Sequence, residues 1–479
     1  MSRDEIRTIY RQGEEAVVSL IETLIQRLNA LEQEVAELKG QRSKDSHNSS
    51  KPPSSDMFHA PKSLREKSCK PRGGQPGHEG RSLRQVENPD HIKEYVLHGK
   101  CGCGRDLSKG KYQGKEHRQV FDIPKPKVEV TEHRAEIRAC TCGLLHTAEF
   151  PKGVEAPAQY GPRIRGTLVY LSEYQLLPQK RITETMRDMF GAEISEGTVN
   201  NAIAQAYYRL QATEETIKQS IADSGVVHGD ETGIYVGGKR LWQHSFSTTL
   251  YTYFFCHTRR GKKAVRDDGI LHNFIGRLVH DGWVSYFDFD CLHALCNAHH
   301  LRELVFLSEN RHRWATAMIK LLCHIKKVVD RGKKAGRKQL APHTLLHFQK
   351  RYESIINFGN RANPVVTERK MPGSRGRIKQ TTARNLLDRL ERYAEETLGF
   401  MYNFDIPFDN NLAERDLRMS KVKQKVSGCF RSMFGAQAFC RIRGYISTVR
   451  KHSLDVFEHL VNCFDHSVEQ NILLPREAR

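Results

Sequence analysis

Apolar residues recur in heptads at the amino terminus. Ile21, Leu28 and Val35 share one register and Leu24, Leu31 and Leu38 the other, with Val17 one step earlier. The narrow stripe predicts a leucine-zipper-like coiled coil over residues 1–40. Arg27 with Glu32 and Glu34 with Lys39 flank its seam and favour a homo-oligomer. Residues 41–90 lose the pattern and become rich in Ser, Lys, Pro, Gly and Asn, which predicts a basic flexible linker whose Lys70, Arg72 and Arg81 lie along phosphates or are simply solvated. A β-rich stretch, Lys115 to Arg138, lies inside a small unit over 91–155. Residues 156–220 read as helical. Arg181 to Phe190 makes one helix, Gly191 breaks it, and Ser195 caps a second whose Val199, Ile203 and Ala206 share a face, which is helix-turn-helix spacing.

From Val226 the period falls from helical to that of strands. Val226 to Gly229 is a short β-branched strand ending in Asp230. Gly237-Gly238 turns a hairpin, Tyr251 to His257 is a third strand, and a helix follows. Leu278 to His280 is an apolar strand ending in Asp281. Three meandering strands, a helix and a strand parallel to the first predict a ribonuclease-H-like core opening over 221–305. Trp314 to Val329 and Thr382 to Thr397 are helical patterns on either side of a basic loop, Arg331 to Lys338, so 306–403 is expected to be a helical, DNA-facing insertion. The core resumes over 404–435 with a helix bearing Glu414, and 436–479 is helical, ending in an amphipathic helix from Leu454 to Phe464. The fold class is multidomain α/β.

Composition sharpens the choice of partner. The 479 residues carry 76 Lys+Arg against 56 Asp+Glu, a formal net charge of +20, which points to nucleic acid. No run of about 18 apolar residues occurs and the start lacks a signal peptide's apolar segment, so a membrane is not expected and a cytoplasmic, nucleoid-associated location is. No Gly-rich Lys-Ser/Thr phosphate loop appears, so ATP is not implied.

Candidate chemistry falls in three places. Asp230, Asp281 and Glu414 are hard oxygen ligands, suited to two Mg²⁺ (or Mn²⁺) ions roughly 3.5–4 Å apart for phosphoryl transfer. Arg415, Arg418, Lys421 and Lys423 follow Glu414 and are expected to grip phosphates. Cys101-Gly102-Cys103 and Cys140-Thr141-Cys142 suit a structural Zn²⁺ with four thiolates, though the pairs are C-x-C rather than C-x₂-C; the alternative is a metal-free fold with buried thiols. On the second helix of the helix-turn-helix, Asn200, Asn201 and Gln205 have amides that bond base edges. Cys296 and His299 form a C-x₂-H pair, read as packing and hydrogen-bonding behind Asp281 in preference to metal ligation.

Four blocks resemble bacterial DDE transposases of the insertion sequence 66 family, in the family's order: His228 to Gly233, Leu278 to Tyr286, Cys296 to Leu304 and Asn410 to Arg418. The segments Asn48 to Asp56, Gly73 to Gly80, Ser427 to Ser432 and Gly444 to Lys451 continue the likeness. The resemblance implies that Asp230, Asp281 and Glu414 are a catalytic triad. It also implies that the cysteine pairs belong to a zinc-finger-like domain and that the partners are the element's terminal inverted repeats and target DNA. Two small accessory proteins usually accompany such transposases. A structure-specific nuclease on the same core, or a zinc-containing helix-turn-helix regulator, remains as an alternative.

Overall fold

A computed structural model describes residues 3–25, 27–28, 48, 82–366 and 378–465. Helix α1 is Arg3–Arg11. The expected continuous helix over 1–40 is interrupted, because Gly13 takes φ 106° before helix resumes over 14–25. Ile21, Leu24 and Leu28 stand exposed on this single chain. Leu31, Val35, Leu38 and the linker cations Lys70, Arg72 and Arg81 lie outside the described residues.

The unit before the main body differs from expectation. Lys115 to Glu136 forms no strand; the strands are β1 (Ile137–Ala139) and β2 (Leu145–Thr147), a two-stranded antiparallel pair. No residue from 82 to 155 is buried. Alternating side chains make a strand only where a second layer covers one face, and none does here.

Helices α2 (Pro162–Val169), α3 (Gln179–Phe190) and α4 (Glu196–Arg209) follow, with a π-helical turn at Tyr170–Tyr174 between the first two. Ser195 caps α4 by accepting from Thr198 N at 3.1 Å. Helix α5 (Gln211–Ala222) leads into the central sheet. The strands are β3 (Val226–Val236), β4 (Lys239–Ser247), β5 (Thr252–His257), β6 (Arg277–His280) and β7 (Leu292–Leu295), with α6 (Lys262–Asp268) between β5 and β6. Their order is β5-β4-β3-β6-β7. The β3–β4–β5 meander is antiparallel, and β6 and β7 are parallel to β3.

After β7 come α7 (Asn297–Glu309), α8 (Arg313–Lys334), α9 (Pro342–Ala362), α10 (Thr382–Arg392) and α11 (Ala394–Tyr402). Two details differ from the sequence reading. Arg331 to Lys334 complete α8, and the pattern from Thr382 to Thr397 breaks at Tyr393 into two helices. The chain ends its described part with α12 (Asn411–Ser427), α13 (Met433–Lys451) and α14 (Val456–Asn462).

Strand alternation sorts the core into layers. Val227, Phe246, Tyr253 and Leu278 face Ile217 and Ile221 of α5 and Val265 of α6. On the other face Phe254 meets Leu417 and Cys440, and Val279 and Ala294 meet the insertion helices through Leu304, Trp314 and Leu322. Helices therefore cover both faces, and the parallel strands are buried as such strands require. The inner face of α4, Val199, Ala202, Ile203 and Ala206, packs with Ala438, Ile442 and Tyr445 of α13.

Candidate active site

The aspartates stand on either side of the place where two strands part; with Glu414 they are not drawn into one tight cluster among the described residues. β3 does not end at Asp230 as its polar tip suggested; it runs on to Val236, because β4 pairs with it from His228 to Val236. The parallel partner β6 pairs only with Val226 to His228. Past that point β3 continues as one arm of a hairpin turned by Gly237 and Gly238, at φ 54° and 78°. Asp230 thus lies beyond the divergence, and Asp281 follows the last residue of β6. A crevice at the carboxyl ends of parallel strands is where open α/β sheets collect ligands.

Glu414 is delivered by α12, whose start is stapled to both sides of that crevice. The buried Asn410 donates from Nδ2 to Gly229 O at 2.8 Å, accepts at Oδ1 from His228 Nδ1 at 2.8 Å, and donates from its backbone N to Cys296 Sγ at 3.1 Å. One side chain thereby ties the residue before Asp230 to the turn that leads to Glu414. Two turns along, Asp416 pairs with Lys451 at 2.9 Å and accepts from Ser247 Oγ at 2.8 Å and Thr252 Oγ1 at 3.1 Å, which fixes α12 to β4, β5 and α13.

The carboxylates feel one another. Burial first, then the charges of Glu231, Asp281 and Glu414, push the Asp230 carboxyl well above the usual range. Asp281 Oδ1 accepts from Trp283 N at 2.9 Å. Glu414 is shifted the other way: His299 Nε2 donates to its Oε1 at 3.1 Å and holds its carboxyl low, with help from Arg302 and Arg418. Repulsion concentrated on Asp230 is what a hard cation would relieve, so the donor set fits Mg²⁺ chemistry.

A fourth carboxylate, unremarked in the sequence reading, stands next to Asp230 on β3. Glu231 is buried and accepts from Tyr286 OH at 2.6 Å and from Arg260 at 2.7 and 2.9 Å. The Arg260 guanidinium lies over the rings of Trp283 at 4.2 Å and Trp242 at 4.9 Å. Burial raises the Glu231 carboxyl, and these two donors oppose the rise. The Asp-Glu doublet was the only sequence signal for it. Its partners are 29 and 55 residues away.

Cys296 and His299 both hydrogen-bond, but toward α12. With Glu414 they form the grouping of metal-type ligands found among the described residues, their donor atoms all within 4.8 Å of one another. Burial pushes the Cys296 thiol up to about 12, and its sulfur accepts from Asn410 N.

The expected phosphate grip divides. Arg415 and Arg418 are exposed beside Glu414. Lys421 is exposed, but its ammonium donates to Gly233 O. Lys423 is a correction: it is half-buried, paired with the buried Glu173 at 3.2 Å and set over the ring of Phe439 at 4.9 Å. Residue 423 turns inward because helical rotation places it on the face that packs against the π-helical turn, and a run of lysines hides which one does so. On α4, Asn200, Asn201 and Gln205 all face outward, with Asn200 bonded to Gln179 and Gln205 accepting from Arg165 at 3.4 Å.

The cysteine pairs form two matching turns. Cys101 N donates to Arg105 O and Gly104 N to Cys101 O, each at 2.8 Å. Cys140 N donates to Leu144 O at 2.7 Å and Gly143 N to Cys140 O at 2.8 Å. Gly104 and Gly143 both take φ 87°. Hydrogen bonds from Cys103 and Cys142 hold the thiols of Cys101 and Cys140 below the usual range. All four thiols are exposed, and the two pairs are not gathered into one cluster. Their chemistry fits Zn²⁺: local turns present the sulfurs, and a unit without buried residues depends on a cross-link to join them.

The sequence signature described as Transposase IS66 family matches residues 157–438, more than half of the chain. The chain belongs to the IS66 family of transposases. The family match contains Asp230, Asp281 and Glu414. The zinc-finger binding domain of transposase IS66 matches residues 99–143, which hold all four cysteines and support a structural zinc and DNA binding in this family member. A family of unknown function matches residues 4–84. No curated protein matches the chain. Among the described residues no helix is long and apolar enough to cross a membrane.

Proposed function

We propose that this transposase is a DDE enzyme on a ribonuclease-H-like core, cutting DNA at the ends of its element and joining the freed 3′ hydroxyls to target DNA. The observation that carries this reading is the strand divergence. Asp230 and Asp281 stand on the two sides of the β3/β6 parting, and Asn410 staples the Glu414 helix across it. The sheet order, an antiparallel meander with two parallel strands beside it, supports the core assignment.

Asp230, Asp281 and Glu414 would hold two Mg²⁺ or Mn²⁺ ions, which supply charge neutralisation to the attacking and leaving oxygens. The chain's own groups do the positioning. His299 orients Glu414, Arg260 and Tyr286 hold Glu231 in place beside Asp230, and Arg415 and Arg418 offer guanidinium groups to the phosphates of the scissile strand. Cys101, Cys103, Cys140 and Cys142 are the zinc ligands in this reading, and Asn200, Asn201 and Gln205 face the terminal repeats. The heptads join two or more copies, and the protein works in the bacterial cytoplasm on the nucleoid, with accessory proteins of the element as partners.

The test is a strand-transfer assay with labelled element-end DNA, target plasmid and Mg²⁺ or Mn²⁺, comparing wild type with Glu414→Gln. Joined product from wild type alone supports the reading. Cleavage without joining converts it to a nuclease, and end binding without either to a regulator.

A further inference from the structure

The helical hairpin of α8 and α9 carries a groove of about 650 Å³. Arg313, Lys320 and His324 line it from α8, and His347 and Arg351 from α9; among the described residues no acidic side chain lines it. On α8 these are positions i, i+7 and i+11, and on α9 i and i+4, so each set shares one helix face. All five are exposed. The buried Phe348 forms the floor and meets the rings of His324 and His347 edge-on, each at 5.7 Å.

Nearby cations of the insertion are neutralised within the protein: Lys326 by Asp330, Arg384 by Asp388, Arg389 by Glu303. Among the described residues Arg313, Lys320 and Arg351 have no such acid. Unpaired like charges gathered along a groove are unfavourable unless a polyanion neutralises them. From Arg313 to His324 the helix rises about 16 Å, the length of roughly five base-pair steps. No Asn or Gln lines the groove, so it offers charge without the amides that read base edges. Helix α8 also reaches the catalytic side, where Lys326 stands 5.8 Å from the ring of Phe408, two residues before Asn410.

We propose that this groove binds the phosphate backbone of duplex DNA as a sequence-independent anchor separate from the carboxylate site. The proposal rests on the reading of the chain as a DNA transposase. An acidic protein is the competing occupant; the spacing of Arg313, Lys320 and His324 along one helix face, matching a run of backbone phosphates, favours DNA.

The experiment uses the full chain and the triple variant Arg313→Ala, Lys320→Ala, Arg351→Ala, with a labelled duplex of unrelated sequence titrated across salt concentrations. Thermal melting establishes that the variant folds. The expected result is a loss of affinity of tenfold or more and a salt slope shallower by about three. The charge-preserving pair Arg313→Lys, Arg351→Lys should keep most of the slope. Unchanged affinity and slope in the triple variant, with wild type binding normally, would overturn the groove but leave the transposase reading standing. A triple variant that keeps DNA but loses binding to polyglutamate would assign the groove to an acidic protein and overturn the proposal. If wild type binds no duplex at all, the transposase reading itself fails, and the groove with it.

Discussion

Val120, Ile123 and Val130 in the zinc-finger region are 92, 82 and 90 % exposed, whereas Val227, Leu278 and Val279 in the sheet are fully buried. The residue types are alike. What differs is the presence of a second layer. The sheet lies between α5 and α6 on one face and α12, α13 and the insertion on the other. The segment over 82–155 has a pair of three-residue strands and a single helical turn at Leu107–Lys109, with no second layer over them. One region is held by burial at about 25 cal/mol per Å² of apolar surface, and the other, on the proposed reading, by chelation of zinc. The two should therefore fail separately, under different perturbations.

The sharpest separation comes from the carboxylates. Asp281→Asn is expected to lower cleavage and joining by roughly 10³-fold or more, since on the proposed reading it removes a metal ligand. DNA binding, measured by gel shift, and the thermal midpoint should hardly move. Retained activity would remove Asp281 from the site.

Next in size is Asn410→Ala, which leaves Gly229 O and His228 without their buried partner. Unfolding in denaturant should show a loss of about 2–4 kcal/mol. Strand transfer should fall in kcat while Mg²⁺ still binds. An unchanged midpoint and rate would mean that the staple does not hold Glu414.

Cys140→Ser should strip zinc from the purified protein and weaken end binding, and limited proteolysis should then cut within 82–155. The sheet's melting transition is expected to stay within a degree or two, as it should on treatment with a chelator. Equal zinc content in the variant would break the assignment.

Acid should act in the opposite region. Burial holds His244 down to about 4 and His300 down to about 3, against 6.5 when unfolded. Both are neutral in the folded chain, so between about pH 4 and 6.5 the unfolded state binds more protons, and stability falls as pH drops through that window. Melting at stepped pH in the zinc-free Cys140→Ser protein should show this decline, and His300→Gln should lessen it. A flat profile would mean that these rings are solvated.

Much of the site was legible before folding, for local reasons. Asp230 and Asp281 each follow an apolar run, and Glu414 lies one turn into a helix whose start is marked by Asn410-Asn411. Caps and glycines placed α3 and α4 because a helix end is decided within a few residues. The errors share one cause. Lys423 resembled its lysine neighbours until packing assigned it to Glu173, and Asp230 looked like a strand end until β4 extended the strand.

Sequence alone determined what depends on neighbours a few residues apart: the helical period of α3 and α4, the turn at Gly237-Gly238, the two C-x-C-Gly turns and the basic balance of the chain. Tertiary structure alone decided that β6 leaves β3 after His228, that Glu231 is claimed by Arg260 and Tyr286, and that Asn410 reaches Gly229 and Cys296 across 181 and 114 residues. Hydrogen bonds over such separations have no period and no spacing rule. They exist only once burial in the sheet has brought their partners within 3 Å or so of one another.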